Sequence, residues 1–360
     1  MFIKNHWYAV ELGHRVAHEP VLVRIHGHND IVLWRSRNRA VNAQSDTCAH
    51  RGCSLASGAV VDNCLECPYH GWRYAPNGIC VKIPANAKGI PIPKNARIHA
   101  YPCLERYGFM WVFLGDLPTE QRPPIPRLDG LEPHREARAK GYKPIFGDFN
   151  WKANYERVLE NALDISHAPF VHSGSFGNPD HPEIQDFELD VTRRDEHVVS
   201  VGASVNLEPS PPSGFWRLIS RGNYPRVRTT VGFYPPNVSM LIVRLPLGEL
   251  RLFSAAVPTT EQTTVSKFCM LRTFFTGAWA DQDAQRRTRK IFLEDQPIVE
   301  SLRPQRLPSE PSAELHVKSD AIQLAYRRWR QEQLVKGWGL QTPCQPSPSS
   351  CGQQQRGGQL

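Results

Sequence analysis

Two short runs carry the groups best suited to chemistry, Cys48-Ala49-His50 and Cys67-Pro68-Tyr69-His70. Written as C-x-H-x16-C-x2-H, each run offers one thiolate and one imidazole, so each can clamp one side of a metal centre. The excursion between them lets two loops meet face to face. Zinc is the alternative occupant, because Cys48, Cys53, Cys64 and Cys67 together would supply four thiolates. A second group lies further along, where Asp164-x2-His167-x4-His172 sets a carboxylate and two imidazoles close together. Two neighbouring histidines are as compatible with surface or core filling as with ligation, so a third ligand is sought as a carboxylate in an apolar setting. Ile291, Phe292, Ile298, Val299 and Leu302 form a stripe at helical spacing, and Asp295 falls inside it. Glu294 and Glu300 fall off that stripe and read as solvated. Capping of a neighbouring loop is the structural alternative for Asp295. Two histidines and a carboxylate leave coordination positions open, as dioxygen chemistry at non-haem Fe(II) requires.

The elements that must position these residues fall into two regions. Residues 20–115 read as short β-strands joined by tight turns, with Val21–Ile25 and Ile31–Arg35 flanking the hairpin sequence Gly27-His28-Asn29-Asp30. Strands at 59–61, 79–83 and 107–114 complete a small all-β sandwich with cysteines on its loop tips. A stretch rich in proline and charge follows, including Arg122-Pro123-Pro124-Ile125-Pro126, and marks a boundary. The spacing of Trp151, Tyr155, Val158, Leu159, Ala162 and Leu163 predicts a helix from about Trp151, ended by Pro169. Alternating strands return over 184–275. Two helices then cover about 279–302 and 319–335, the first carrying Pro297, which should bulge or kink it beside Asp295. The expected organisation is therefore 1–118 for the first domain, 119–144 for a linker, 145–338 for the second domain and 339–360 for a disordered tail.

Length and composition narrow the function classes. At 360 residues with 40% hydrophobic content and 31 prolines, the chain can bury two cores and be rich in loops. The net charge of +8 is scattered among acidic residues, without the clustered stripe that nucleic-acid binding needs. No apolar run approaches a membrane span, and the opening residues do not form a signal peptide, so the expectation is a cytoplasmic protein with no membrane partner. Nine cysteines, an odd number, agree with a reducing compartment.

The runs CAHRG, CPYHGWRY, ERYGFMWV, ENALDISHAPFVH and LEDQPIVES together resemble the Rieske non-haem iron oxygenases, specifically single-component terminal oxygenases similar to dicamba and vanillate O-demethylases and methylxanthine N-demethylases. The resemblance implies an α+β fold, with an N-terminal Rieske β-sandwich followed by a helix-grip catalytic domain on an antiparallel sheet. It implies a [2Fe–2S] Rieske cluster on Cys48, His50, Cys67 and His70, and a mononuclear Fe(II) on His167, His172 and Asp295, with O2 as cosubstrate. In such enzymes Asp164 bridges an iron-binding histidine to a cluster histidine of the adjacent subunit of a head-to-tail homotrimer. Asn161 matches an asparagine near the iron. Electrons would arrive from a ferredoxin or flavin reductase fed by NAD(P)H, since the chain carries no dinucleotide fingerprint. The expected reaction is hydroxylation, or O- or N-demethylation, of a small aromatic, heteroaromatic or alkaloid-like molecule. A ring cis-dihydroxylating dioxygenase and a Rieske electron carrier with a binding domain are the alternatives. Phe176, Phe215, Trp216, Phe233, Tyr234 and Met240 are pocket candidates, and Arg217 or Arg244 could meet an anionic substituent.

Overall fold

The structure is a computed structural model that describes residues 2–28, 30–128, 131, 141–194, 197–208 and 226–340. Residues 6–114 build three small antiparallel sheets. Val21–Val23, Ile31–Arg35, Val41–Ser45 and Ala100–Tyr101 form one, its first pair joined across the expected turn. Ala59–Val61, Cys64–Glu66, Arg73–Tyr74 and Cys80–Lys82 form the second, whose two central strands are joined by the loop carrying Cys67 and His70, while the loop carrying Cys48 and His50 follows Val41–Ser45 of the first. The third places Phe109–Leu114 between Cys103–Arg106 and His6–Leu12.

All six residues of Phe109–Leu114 are buried, which is why that strand reads as one uninterrupted apolar run. Phe109 and Trp111 enter a core shared with Tyr234, Val238 and Phe253 of the second half, whereas Met110, Val112 and Leu114 enter the N-terminal core with Val10, Ile31 and Leu33. Each such side chain contributes roughly 1.5–3 kcal/mol on burial. Charges reinforce the junction: Lys267 Nζ lies 2.7 Å from Glu11 Oε2, and Arg15 Nη1 donates to Asp148 Oδ2 at 2.6 Å.

The second half is a seven-stranded antiparallel sheet in the order 143–151, 264–272, 248–258, 238–245, 227–234, 197–207 and 185–194. Against it lie α1 (Tyr155–Leu163), the single turn α2 (Ala168–Val171), α3 (Asp281–Ser301) and α4 (Ala321–Val335). Trp151 does not open a helix as expected. It ends the strand Lys143–Trp151 and donates through Nε1 to Ser266 Oγ at 2.9 Å, while Asn154 caps α1 by accepting from Glu156 N–H at 3.0 Å. Nor does Pro169 stop α1. That helix ends at Leu163, and Pro169 sits in the first turn of α2, where its missing N–H is no loss.

α3 runs continuously from Asp281 to Ser301 with Pro297 inside it. Its buried face is Ala284, Thr288, Phe292, Asp295 and Val299, and Ile298, expected on that stripe, is 47% exposed. A buried ion network ties α1 to α4: Arg327 Nε donates to Glu160 Oε1 at 2.5 Å, Arg157 and Arg327 share Glu314, and Arg330 pairs with Glu156. Gly339–Leu340, expected to start the tail, instead pair with Phe2–Ile3; residues 341–360 lie outside the described residues. Among the described residues no helix is long and apolar enough to cross a membrane.

Candidate metal centres and the adjoining cavity

The two cysteine loops share one backbone design. Cys48 N–H donates to Cys53 O and Gly52 N–H to Cys48 O; Cys67 N–H donates to Trp72 O and Gly71 N–H to Cys67 O. Gly52 and Gly71, each four residues beyond its cysteine, have φ of 72° and 68°, a conformation that a side chain would resist. The repeated turn folds both histidines back toward one another, leaving their Nδ1 atoms 3.2 Å apart. Both thiols are buried and His70 is exposed, so the thiol end faces the protein and the imidazole end faces outward. His50 stacks on Trp72 with ring centres 4.7 Å apart. Tyr74 was not singled out in the sequence, yet its hydroxyl lies 3.1 Å from Cys48 Sγ and accepts from Ala49 N–H. Burial pushes the Cys48 thiol up. Two buried thiols and two facing imidazoles fit the donor set of a Rieske cluster. The four-thiolate alternative finds no support, because no group of three or more cysteines converges among the described residues and the Cys53 thiol donates to Ser54 O.

The second group converges more tightly. His167 immediately precedes α2 and His172 immediately follows it, so the single turn brings both Nε2 atoms to face one point, 3.3 Å apart. From the buried face of α3, Asp295 Oδ1 reaches the same point, 3.4 Å from His167 Nε2 and 3.3 Å from His172 Nε2. That oxygen is buried and makes no hydrogen bond. A buried carboxylate oxygen is not left unpartnered without cost, and a divalent ion about 2.0–2.1 Å from each donor would span the triangle and satisfy it. The residues present therefore fit a two-histidine, one-carboxylate centre with open positions.

The outer nitrogens of the two imidazoles are held differently. His172 Nδ1 lies 2.9 Å from Glu294 Oε2, and Glu294 Oε1 accepts from Ser175 Oγ at 2.6 Å. Glu294 is therefore not the solvated residue expected from the stripe. Its side chain turns along the rim of α3, and its partners hold the carboxyl below its usual range against the opposing effect of burial. Nothing local to Glu294 signals this, since His172 lies 122 residues earlier in the chain.

His167 Nδ1 has only Asp164 Oδ2 nearby, at 3.6 Å, too long for a direct hydrogen bond. Asp164 was expected to share a helix with His167. It instead caps the C-terminal end of α1, and its Oδ1 accepts from Ser166 N–H at 2.7 Å. Burial lowers the affinity of the His167 ring for a proton, but Asp164 and Asp295 outweigh it and bring the ion-free imidazole up to about 9. Asp164 is correspondingly held below its usual range, its neighbours overcoming burial.

A cavity of about 290 Å³ opens beside His167, His172 and Asp295. Its walls follow strand alternation: Val227, Thr229 and Val231 from one strand, Leu250 and Leu252 from another, with Phe292 of α3 closing a side. Asn161 lines it, as do Phe176 and Met240 among the expected pocket residues. Phe233 and Tyr234 belong instead to the cores, and Phe215, Trp216 and Arg217 lie outside the described residues. Arg244 pairs with Glu249 at 3.3 Å and does not face the cavity.

Comparison with known proteins divides the chain in the same way. Residues 6–103 match the Rieske [2Fe-2S] domain, and residues 151–336 match the vanillate O-demethylase oxygenase C-terminal domain. The chain is 26% identical to methylxanthine N1-demethylase NdmA of Pseudomonas putida over 92% of its own length and 89% of that relative. It is also 26% identical to a putative toluene-4-sulfonate monooxygenase iron-sulfur subunit, TsaM2, of Comamonas testosteroni, over 93% of this chain and 98% of that one. The solved structure of NdmB from Pseudomonas putida superposes with a TM-score of 0.73 at 26% identity, covering 93% of this chain and 92% of that one. Since the C-terminal match alone spans more than half of the sequence and the Rieske match precedes it, the chain belongs to the vanillate O-demethylase-like Rieske oxygenases, which combine a [2Fe–2S] cluster with a mononuclear iron.

Proposed function

We propose that the chain is a terminal monooxygenase that hydroxylates a C–H bond of a small organic substrate, and that it releases formaldehyde where that carbon is an O- or N-methyl group. The observation that carries this reading is the convergence of His167 Nε2, His172 Nε2 and Asp295 Oδ1 on the wall of an apolar cavity, in a chain that also carries the paired cysteine–histidine loops. Cys48 and Cys67 would hold one cluster iron, His50 and His70 the other, and His167, His172 and Asp295 the mononuclear iron. When bound, the cluster supplies single electrons and the mononuclear iron supplies dioxygen activation.

The chain's own residues set the conditions. Glu294 keeps a proton on His172 Nδ1, which leaves Nε2 directed inward as a lone-pair donor. The cavity wall excludes water from the reacting carbon. For a methyl ether the balance is R–OCH3 + O2 + 2 e⁻ + 2 H⁺ → R–OH + HCHO + H2O, with the hemiacetal collapsing by loss of the C–O bond. The N-demethylase and monooxygenase names of the relatives support this class.

The proposal extends to assembly and supply. Residues 1–118 would form the electron-accepting part and 145–338 the oxygenating part of a cytoplasmic homotrimer, in which Asp164, 3.6 Å from its own His167 Nδ1, would close that gap and bridge to a cluster histidine of the neighbouring subunit. Its partly exposed carboxylate leaves room for that second contact. A ferredoxin or flavin reductase would deliver the electrons. The test is reconstitution with a surrogate reductase, NADH and ¹⁸O2, together with iron analysis. Three irons per chain, substrate-dependent O2 uptake and one labelled oxygen per product or formaldehyde are expected. Two labelled oxygens in a ring product would make it a dihydroxylase, and two irons without O2 uptake an electron carrier.

A further inference from the structure

We infer that the cavity selects an uncharged, largely apolar substrate and rejects the carboxylated aromatic of the same shape, a statement about substrate class that rests on the cavity being the substrate site. Among the described residues lining it there is no lysine or arginine. Its charged or titratable lining is Asp164, Asp295, His167 and His172 at the inner end, and Glu208 with His181 towards the other. The arginines nearby are already paired: Arg244 with Glu249, Arg228 with Glu188, and Arg226 with Gln185 and with Glu208 at the cavity's outer end.

A substrate carboxylate entering this space would lose its hydration against apolar wall, with no lysine or arginine among the described lining residues to replace it, and Asp295 and Glu208 are already engaged, the first by the ion it would hold and the second by Arg226, so desolvation decides. The polar groups that do face the cavity are neutral: Thr229, Ser239 and Ser254 from the sheet, and Asn161 from α1. The Asn161 side-chain amide makes no hydrogen bond among the described residues, so it offers a donor and an acceptor to a carbonyl, ether or ring nitrogen. A neutral heteroatom can use such a group; a carboxylate gains from it much less than it loses.

The test is direct binding, kept separate from turnover. The full-length, iron-loaded protein, held anaerobic and without reductant, is titrated calorimetrically with 3-methoxybenzamide and with 3-methoxybenzoate, which differ little in shape but differ in charge. The amide is expected to bind at least about tenfold more tightly. In Val243→Arg, which places a guanidinium on the cavity-facing register beside Thr229 and Leu250, that preference should shrink or reverse. An amide that binds no more tightly than the benzoate, including the case where neither binds, overturns the inference, as does a V243R variant that folds with its cluster spectrum intact and keeps the wild-type preference. An amide that binds selectively but is never oxidised leaves this inference standing and removes the monooxygenase reading instead.

Discussion

Removing the Glu294 carboxylate should loosen the mononuclear metal without disturbing the cluster. Glu294 Oε2 accepts the His172 Nδ1 proton at 2.9 Å, and with the Glu294 side chain only 17% exposed, water replaces it poorly. A hydrogen bond to a charged group contributes about 1.5–3 kcal/mol, which at 1.4 kcal/mol per decade is roughly 10- to 150-fold in affinity. The carboxylate also serves Ser175 and Lys290, so part of its strength is spent elsewhere and the lower half of that range applies. Loss of such partners of metal-binding histidines typically costs 10–100-fold in metal affinity or activity.

Glu294→Gln keeps an acceptor and loses the charge, so about tenfold weaker binding is expected; Glu294→Ala loses both and should reach roughly 40-fold, the top of that lower half. The assay strips the mononuclear site with a chelator and titrates Co(II) against a chromophoric competitor, with the visible cluster spectrum as the check on folding. If E294A keeps its cluster spectrum and binds Co(II) as tightly as wild type, His172 is positioned by something other than this contact. If E294A loses the spectrum, E294Q carries the test alone.

Three further outcomes are expected. Asp164→Ala should retain three irons per chain yet slow single-turnover electron transfer from cluster to mononuclear iron by a hundredfold or more, and unimpaired transfer would remove Asp164 from the route. Arg327→Leu leaves Glu160 buried without its main partner, so chemical denaturation should report a loss of about 3–5 kcal/mol; a loss under about 1 kcal/mol would mean the network on α1 and α4 is dispensable. Asp148 is held below the usual carboxylate range, since Arg15 and Lys267 overcome burial. A depressed folded-state value means the stabilisation is present above about pH 4 and is lost as pH falls through that region. Asp148→Asn should therefore flatten the acid limb of a stability–pH curve by at most about 1 kcal/mol, a small figure because the group is a third exposed, and an unchanged limb would contradict the assignment.

How far the molecule was readable before its structure depends on how local each signal is. The cysteine–histidine loops are legible because scarce residue types recur at fixed short spacing, with Gly52 and Gly71 at matching positions. Asp295 is legible for the opposite reason, as a charged residue where an apolar one belongs. Glu294 is one position along and was misread, because its role depends on which way a distant imidazole turns, and no helical periodicity encodes that. Ile298 misled in the same region, since an apolar side chain on a helix carries no proof of burial. At the start of α1, Trp151 fits both a period of 3.6 and a period of 2. Asn154, a favoured cap residue just ahead of the helix, was the available signal and would have placed the start at Tyr155. The charge network between α1 and α4 and the cavity itself join residues far apart in sequence, so only the folded chain brings them into view.

The strand Phe109–Leu114 has a practical bearing on recombination between relatives. Because its alternate side chains belong to different cores, a crossover placed in the proline-rich stretch after it would transplant Phe109 and Trp111 into a foreign packing partner formed by Tyr234, Val238 and Phe253. Chimaeras that exchange only the electron-accepting half should consequently lose solubility or rigidity unless those three positions travel with it. The workable unit of exchange is thus a discontinuous set of residues on both sides of the apparent boundary.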